Sequence, residues 1–364
     1  MLRPAMVLRC SASGWNGFLQ GIGPRVNNPF RRRLFRSPAT RPSVQESSVL
    51  EAPSPARMAI AFAVMAVTPL FFSSNLIFGR GVIGEVAPFT LAFLRWLFVA
   101  LALAPVLYRQ REAVAGMFRS HSPLLLVEGF LGMWICGAIV YVALTMTTAT
   151  NGTLIYTTSP VIIIILEAIF FGRAIGWREA LGSLIAFAGV AVIVLKGDLA
   201  TLATLTFNPG DILFILAAIA WAIYSVLMRR DEFKAVGNIA SLGIVAAFGA
   251  LCLAPFALVE FASGAAMPVT LTAWGSIAGI VLFASLIAFG GFQFGVRVLG
   301  PSLAAVFMYL LPPYGVTLAV LLLGESFRPF HAAGIVMVMG GIILATFPAR
   351  WLAGKLSRPA QKRA

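Results

Sequence analysis

One arginine stands in the middle of a strongly apolar run. Residues 89–100 read FTLAFLRWLFVA, so Arg95 is surrounded by phenylalanine, leucine, alanine, valine and tryptophan. A guanidinium carries a permanent positive charge and five donors, which suits it to binding a carboxylate or capping free carbonyl oxygens. Which of these it does depends on the solvent around the run.

The composition identifies that solvent as lipid. The 364 residues are 60% hydrophobic and 11% charged, with a mean hydropathy of +0.93. Soluble domains are about 45–50% apolar and about 25% charged, so we expect an integral membrane protein. Cys10, Cys136 and Cys252 lie far apart in the chain, which indicates neither a disulfide framework nor a metal site. We predict no metal and no cofactor.

Ten segments are long and apolar enough to cross a bilayer, which needs about 20 residues each. The predicted spans are 58–78, 86–107, 123–144, 152–171, 177–195, 211–228, 237–259, 272–294, 302–323 and 331–349.

Lysine and arginine placement predicts the orientation of these spans. If the chain starts in the cytoplasm, sixteen basic residues flank the spans inside and only Arg80, Lys196 and Arg328 lie outside. Cytoplasmic loops carry this excess in membrane proteins, so we expect both termini inside, most simply at a bacterial inner membrane. The net charge of +14 then reflects topology and contact with lipid, and it requires no nucleic-acid partner.

Basic segments flank the spans at both ends of the chain. Residues 1–57 hold nine arginines and two acids and are rich in Pro, Ser and Gly, which predicts a disordered basic extension. An organelle transit peptide, or a chain that truly starts near Met58, are the alternatives. Residues 350–364 are predicted to be a basic cytoplasmic tail.

The two halves of the membrane region resemble each other. At a constant offset of 152, residues 159–190 align with 311–342 without gaps, so that Pro160 meets Pro312 and Gly172 meets Gly324. The halves, 58–195 and 211–349, each contain five spans. Because five is odd, the second half must enter the membrane from the opposite side. We therefore predict an all-α integral membrane protein of ten transmembrane helices arranged as two inverted five-helix repeats, a plan found in secondary transporters.

Several short motifs give the chain a specific family resemblance. FTLAFLRWL, YTTSP, LLP and LLLGES together resemble the drug/metabolite transporter superfamily, of the kind with two EamA-type domains, over about residues 58–349. The resemblance implies alternating-access transport of amino acids or related small polar metabolites, with efflux as the commoner direction. A sugar nucleotide, a nucleobase or a drug is the alternative substrate. The first half departs from the pattern, because it has Gly172-Arg173 where the second has Gly324-Glu325.

Arg95 is expected to face the interior of the bundle. A charge halfway along a span costs at least ~2.5 kcal/mol when it faces lipid, so such residues usually face a wet cavity or a partner. Arg95 would either anchor an anionic substrate group, or pair with an internal acid or cap carbonyls at a helix break.

We predict that Glu128 and Glu167 are the only acids inside the spans. Either could pair with Arg95 or carry a coupled proton. Glu167 lies four residues from the end of its span, which also favours a simple interfacial position.

Polar aromatic and amide side chains within the spans are candidates for lining a substrate cavity, with ordinary packing as the alternative for each. They are Asn75, Trp134, Tyr141, Tyr156, Trp221, Tyr224, Gln293 and Tyr309. Pro160, Pro312 and Pro313 lie within the fourth and ninth spans, where proline breaks or kinks a helix. Such matched breaks indicate either a site with hinges or packing kinks.

Other classes of protein fit less well. The chain has two histidines, His121 and His331, far apart, and no nucleophile–base arrangement. We therefore predict no enzymatic activity, with a membrane enzyme as the alternative class. Glycine patterns such as GFQFG (291–295) permit close helix packing and leave a homo-oligomer open.

Overall fold

The computed structural model describes residues 54–80, 82, 84–198, 200, 207–324 and 326–346. The predicted extension up to residue 53, the predicted tail at 350–364 and Glu325 lie outside these described residues. The described part is helical throughout, with no strand.

Within these described residues, ten helices are long and apolar enough to cross a membrane. We label them α1 (Pro55–Arg80), α2 (Pro88–Arg109), α3 (Arg111–Leu144), α4 (Thr150–Phe171), α5 (Trp177–Val194), α6 (Pro209–Leu227), α7 (Asn238–Ala262), α8 (Leu271–Leu299), α9 (Pro301–Leu322) and α10 (Pro329–Thr346). A short 3₁₀ turn, Asp231–Ala235, joins α6 to α7.

Local sequence explains where many of these helices begin and end. Pro88, Pro209 and Pro301 stand in the first turn of α2, α6 and α9, where the missing N–H has no helical partner to lose. The helical segments that end α4 and α9 terminate at Gly172 (φ 62°) and Gly324 (φ 70°). Both glycines adopt the left-handed conformation that closes a helix, and they occupy equivalent positions in the two repeats.

The packing of α5 on α10 shows directly that the repeats are inverted. A Cβ on Gly189 would lie 2.7 Å from the carbonyl oxygen of Gly334, and one on Gly182 would lie 2.5 Å from that of Gly341. Moving forward along α5 thus means moving backward along α10, so the helices are antiparallel. Because these helices are equivalent under the 152-residue offset, the two halves run in opposite directions, as predicted.

Other helix pairs show the same twofold relation between the halves. Helix α2 packs along α7, which is its equivalent in the other half. The contact of α1 with α8 matches that of α6 with α3, and the contact of α1 with α9 matches that of α6 with α4. The core is therefore formed between the halves, around an approximate twofold axis.

Two helices, α3 and α8, differ from the expected spans in ways that affect the site. Helix α3 begins at Arg111 instead of residue 123, and its backbone leaves helical geometry at His121 (φ −134°, ψ 22°). Within α3 and α8, Phe130–Ile139 and Ile280–Ile287 are π-helices. These wider turns start 150 residues apart, so they are a repeated feature, and they were not predicted. π-Helical turns are frequent at functional sites.

Candidate substrate and coupling site

A small cavity of about 20 Å³ lies between the two halves. Its walls come from the middle of α4, from α6 and from the middle of α9, and consist of Tyr156, Thr157, Ser159, Pro160, Trp221, Met308, Tyr309 and Leu311. This volume accommodates a water molecule, so a metabolite would need the walls to separate.

The cavity walls follow the internal symmetry. At the 152-residue offset, Tyr156 corresponds to Met308, Thr157 to Tyr309, and Ser159 to Leu311. The helix of α4 stops at Tyr156 and restarts at Ser159, and α9 passes through a 3₁₀ turn at Met308–Leu310 before restarting at Leu311. Pro160, Pro312 and Pro313 each lie in the first turn of the restarting segment, where proline is tolerated. Both helix breaks therefore meet at the same central place.

Arg95 is buried, with 6% of its surface exposed, and it binds the π-helix of α8. Its Nε donates to the Ser285 hydroxyl at 2.7 Å and its Nη2 donates to the carbonyl oxygen of Ala284 at 3.1 Å. A π-helical turn disturbs the regular backbone hydrogen bonding, so these bonds fit the expectation that Arg95 caps carbonyls. Neither Glu128 nor Glu167 is its partner, and the ion pair considered from sequence does not form.

The rest of the Arg95 guanidinium lies among aromatic rings. Its carbon is 4.8 Å from the ring centre of Trp96 and 5.6 Å from that of Phe289, distances typical of cation–π contacts. Tyr141 and Tyr156 interact with it electrostatically, although the Tyr141 hydroxyl makes no hydrogen bond of acceptable geometry among the described residues. Because Tyr156 also lines the cavity, Arg95 interacts electrostatically with a residue of the cavity wall.

Glu167 has a full set of partners. Arg229, just after α6, forms a salt bridge with it, and both the backbone N–H (3.0 Å) and the hydroxyl of Ser302 donate to its Oε2. Ser302 lies in the first turn of α9, where a carboxylate satisfies free N–H groups and the helix dipole. Glu167 thus ties α4 of the first half to α6 and α9 of the second.

Glu128 has none of these partners. Its side chain is fully buried, and both carboxyl oxygens lack a hydrogen bond to any described residue. Tyr224 of α6 is close enough to interact with it electrostatically. The Tyr224 hydroxyl accepts a hydrogen bond from Gln293 Nε2 at 2.9 Å, which adds α8 to this group.

Five of the eight predicted lining residues are not in the cavity walls: Tyr141, Tyr224 and Gln293, which were described above, and Trp134 and Asn75. Trp134 packs against Phe130, Phe89 and Phe256 in an aromatic group formed by α2, α3 and α7. The side-chain oxygen of Asn75 is buried without a hydrogen-bond partner among the described residues. It shares a face of α1 with Phe71 and Phe78, which both stack on Phe283 of the α8 π-helix.

Three acids at helix ends were overlooked when Glu128 and Glu167 were treated as the acids inside the spans. Glu179, Asp211 and Glu260 are within α5, α6 and α7. Glu179 binds Arg173 at 2.7 Å. The sequence carries a signal for Asp211, because Asn208-Pro209 followed by an acid at the third helical position is a capping box.

Asp211 and Glu260 both connect the halves. The Thr147 hydroxyl and the Asn151 amide donate to Asp211 at 2.6 and 3.2 Å. Glu260 accepts from the backbone N–H groups of Phe89 (3.1 Å) and Thr90 (2.7 Å) at the start of α2. Asp211 thus joins α6 to the α3–α4 region, and Glu260 joins the end of α7 to α2.

Ten apolar helices, two inverted repeats and helix breaks that meet at a central cavity define an integral membrane protein of the transporter class. Comparison of the sequence with known families gives the particular one. The chain belongs to the EamA-like transporter family, which matches residues 58–195 and 208–347.

Several relatives carry transporter names. An uncharacterized transporter of Archaeoglobus fulgidus is 30% identical over 287 residues, covering 78% of this chain and 96% of the relative. The uncharacterized transporter YyaM of Bacillus subtilis is 24% identical, covering 76% and 90%. A probable terminal-alkyne amino-acid exporter of Streptantibioticus cattleyicolor is 26% identical, covering 68% and 78%. A solved crystal structure with 21% identity has a TM-score of 0.67 over 82% of this chain and 99% of the other, which supports the fold.

Proposed function

We propose that this transporter is a secondary carrier that exports an amino acid or a related small polar metabolite by alternating access. The observation that carries the proposal is the cavity at the crossing of the broken helices α4 and α9, lined by equivalent positions of the two repeats. Two similar halves of opposite direction can exchange conformations, so that one central site faces each side in turn.

Polar contacts between the halves at both ends of the bundle support the alternation. Glu167, Arg229 and Ser302 lie where α4 ends, α6 ends and α9 begins, which is the predicted cytoplasmic side. Asp211, Thr147 and Asn151 lie at the opposite side. We call the first set the inner latch and the second the outer latch. Opening the inner latch admits substrate from the cytoplasm, and opening the outer latch releases it.

The chemistry around the cavity supports an amino-acid substrate. Arg95 uses Nε and Nη2 on α8, and its positive charge acts on Tyr141 and on Tyr156 of the cavity wall, so it would attract an anionic group bound there. Tyr309 lines the cavity, is fully buried, and has a hydroxyl without a hydrogen-bond partner among the described residues. One relative is itself named as a probable amino-acid exporter. The aromatic wall of Tyr156, Trp221 and Tyr309 also suits a planar ring, which keeps a nucleobase or an aromatic drug as the alternative.

The charge bias of the loops supports the predicted orientation. Basic residues concentrate on the side where α1 begins and α10 ends, so both termini would be cytoplasmic in a bacterial inner membrane.

Counterflow in proteoliposomes tests the proposal. Vesicles preloaded with a mixture of amino acids should accumulate radiolabelled external amino acids, because alternating access exchanges substrate without an energy source. Tyr309→Phe should reduce the rate several-fold by removing a hydroxyl from the cavity. Tyr108→Phe changes a tyrosine that is 69% exposed, and it should match the unmodified protein. Lack of counterflow with amino acids, but activity with nucleobases, would favour the alternative substrate.

A further inference from the structure

Glu128 is an acid that the bundle buries without donors. It is 0% exposed, and both carboxyl oxygens lack hydrogen bonds to the described residues. An ionised carboxylate in such a place would lose its hydration without compensation, whereas the neutral acid can be buried at moderate cost. Glu167, by contrast, is held by Arg229 and by Ser302, so its charge is already compensated by protein.

One cation, Arg230 just beyond α6, interacts electrostatically with Glu128 without a hydrogen bond to its carboxyl oxygens. Arg230 forms a two-point interaction with Glu232, and these hydrogen bonds lower the pKa of Glu232, so that pair stays ionised by itself. Arg230 and Tyr224 of α6 interact electrostatically with Glu128 itself. The other titratable and charged groups of this region are Glu232 and His121, which interact with each other beside Arg230, Cys136, which interacts with Tyr224, and Arg95 of α2, which contacts the Phe289 ring next to Tyr224. On the α7 side, neighbouring Gly129 packs on Phe248 and Gly249.

A series of packed residues connects the region of Glu128 to the cavity. Gly132, one turn after Glu128, lies under Tyr224, because a Cβ there would lie 2.8 Å from the Tyr224 ring. Tyr224 stacks on Trp221, a cavity residue, at 5.3 Å and contacts Phe289 at 6.4 Å. Phe289 contacts the Arg95 guanidinium. A change at Glu128 that moved Tyr224 would therefore reach both the cavity and Arg95.

We propose that Glu128 is the proton-binding site that couples this transporter to the proton gradient, with Tyr224 and Gln293 as the positioning residues that link it to the substrate cavity. The proposal rests on the transport function proposed above and names its driving ion. In the half of the cycle without substrate, Glu128 takes up one proton from the outer water while the outer latch is open and stays neutral while the bundle is closed. It releases that proton to the cytoplasm when the inner latch opens. Because the substrate and the proton then move in alternate halves of the cycle, proton entry drives metabolite export.

The decisive experiment compares two transport modes of Glu128→Gln in proteoliposomes with a radiolabelled mixture of amino acids. Glutamine keeps the size of the neutral acid but cannot release a proton. We expect counterflow to continue within about two-fold of the unmodified protein, while accumulation driven by a pH gradient falls to background and the pH profile of transport becomes flat. Glu179→Gln alters a paired acid of α5, and it should retain both modes.

The outcomes separate this proposal from the proposed function. If the unmodified protein shows no counterflow with amino acids, the proposed function fails for that substrate class. If counterflow occurs and Glu128→Gln still accumulates substrate along the pH gradient, the coupling proposal is wrong. Loss of both modes in a folded Glu128→Gln protein would also overturn it, because Glu128 would then be part of the substrate machinery.

A second variant keeps the test open if Glu128→Gln does not fold. Tyr224→Phe removes the hydroxyl that accepts from Gln293 and faces Glu128, but it keeps the ring on Gly132. We expect this variant to shift the pH midpoint of gradient-driven transport while counterflow persists. An unchanged midpoint would contradict the proposal.

Discussion

At the scale of residues, the partner of each buried charged side chain depends on where the residue lies in the bundle more than on whether it is an acid or an arginine. Arg95, Glu128 and Glu167 are all buried in the bundle, yet they have different surroundings. Arg95 binds the backbone and hydroxyl of a π-helix, Glu167 binds an arginine and a helix start, and Glu128 lacks a hydrogen bond to any described residue. Apolar context alone predicts that each faces inward, whereas only the tertiary structure assigns the partner.

Arg95→Lys tests how far the guanidinium geometry matters. Lysine keeps the charge but presents a single ammonium, which cannot bind Ser285 and Ala284 as a planar fork does. We expect counterflow to fall at least ten-fold, with a smaller loss of thermal stability in detergent.

Arg297→Lys is the matched control. Arg297 lies on α8 itself and, like Arg95, binds a backbone carbonyl and a serine, namely the carbonyl oxygen of Val236 (3.0 Å) and the Ser241 hydroxyl, away from the cavity. It should lower stability without a comparable loss of transport per folded molecule. Equal effects of the two substitutions on transport would mean that Arg95 has only a structural role.

At the scale of elements, glycine contacts allow the last helix of each repeat, α5 and α10, to pack closely against the other. Helices α5 and α10 approach at Gly182, Gly189, Gly334 and Gly341, where small residues allow backbones to touch. The aligned glycines were visible in the sequence at the 152-residue offset. Their role as an antiparallel interface between the halves required the structure, since an offset gives equivalence and not contact.

Two adjacent glycines of α10 give a direct test of this interface. A Cβ on Gly341 would lie 2.5 Å from the backbone of Gly182 and Ala186, whereas a Cβ on Gly340 meets nothing within 4 Å. We expect Gly341→Ala to lower the melting temperature in detergent by several degrees, because the helices must separate. Gly340→Ala should be neutral or stabilising, by up to about 1 kcal/mol, because alanine favours helix. Similar melting temperatures for the two variants would contradict this interface.

Helix irregularities were predictable only where proline or glycine marks them. Pro160 and the pair Pro312-Pro313 indicated the breaks at which α4 and α9 restart. The π-helices at Phe130–Ile139 and Ile280–Ile287 carry no such marker, because an extra residue in a turn depends on what the helix packs against. The early start of α3 was missed because Arg111, Glu112 and Arg119 make its first turns look like a loop.

At the scale of the whole molecule, hydropathy and the internal offset were enough to predict the ten-helix inverted architecture. Lipid leaves few alternatives, since every backbone group in a spanning segment must find an internal partner. The site was less predictable, because Tyr156, Trp221 and Tyr309 meet at the cavity while Trp134 and Tyr224 pack elsewhere. All eight were equally plausible as polar aromatic or amide side chains in apolar spans. Their roles in binding remain predictions.

Alternation of the inner and outer latches is the central claim, and distances between spin labels measure it most directly. One pair of labels, at Ile175 and Lys234, reports on the inner side, and another, at Met146 and Phe207, reports on the outer side; all four positions are exposed. In proteoliposomes, a transported amino acid should lengthen one distance distribution while it shortens the other. If both distances change in the same direction, or neither changes while transport proceeds, alternating access between these halves is contradicted.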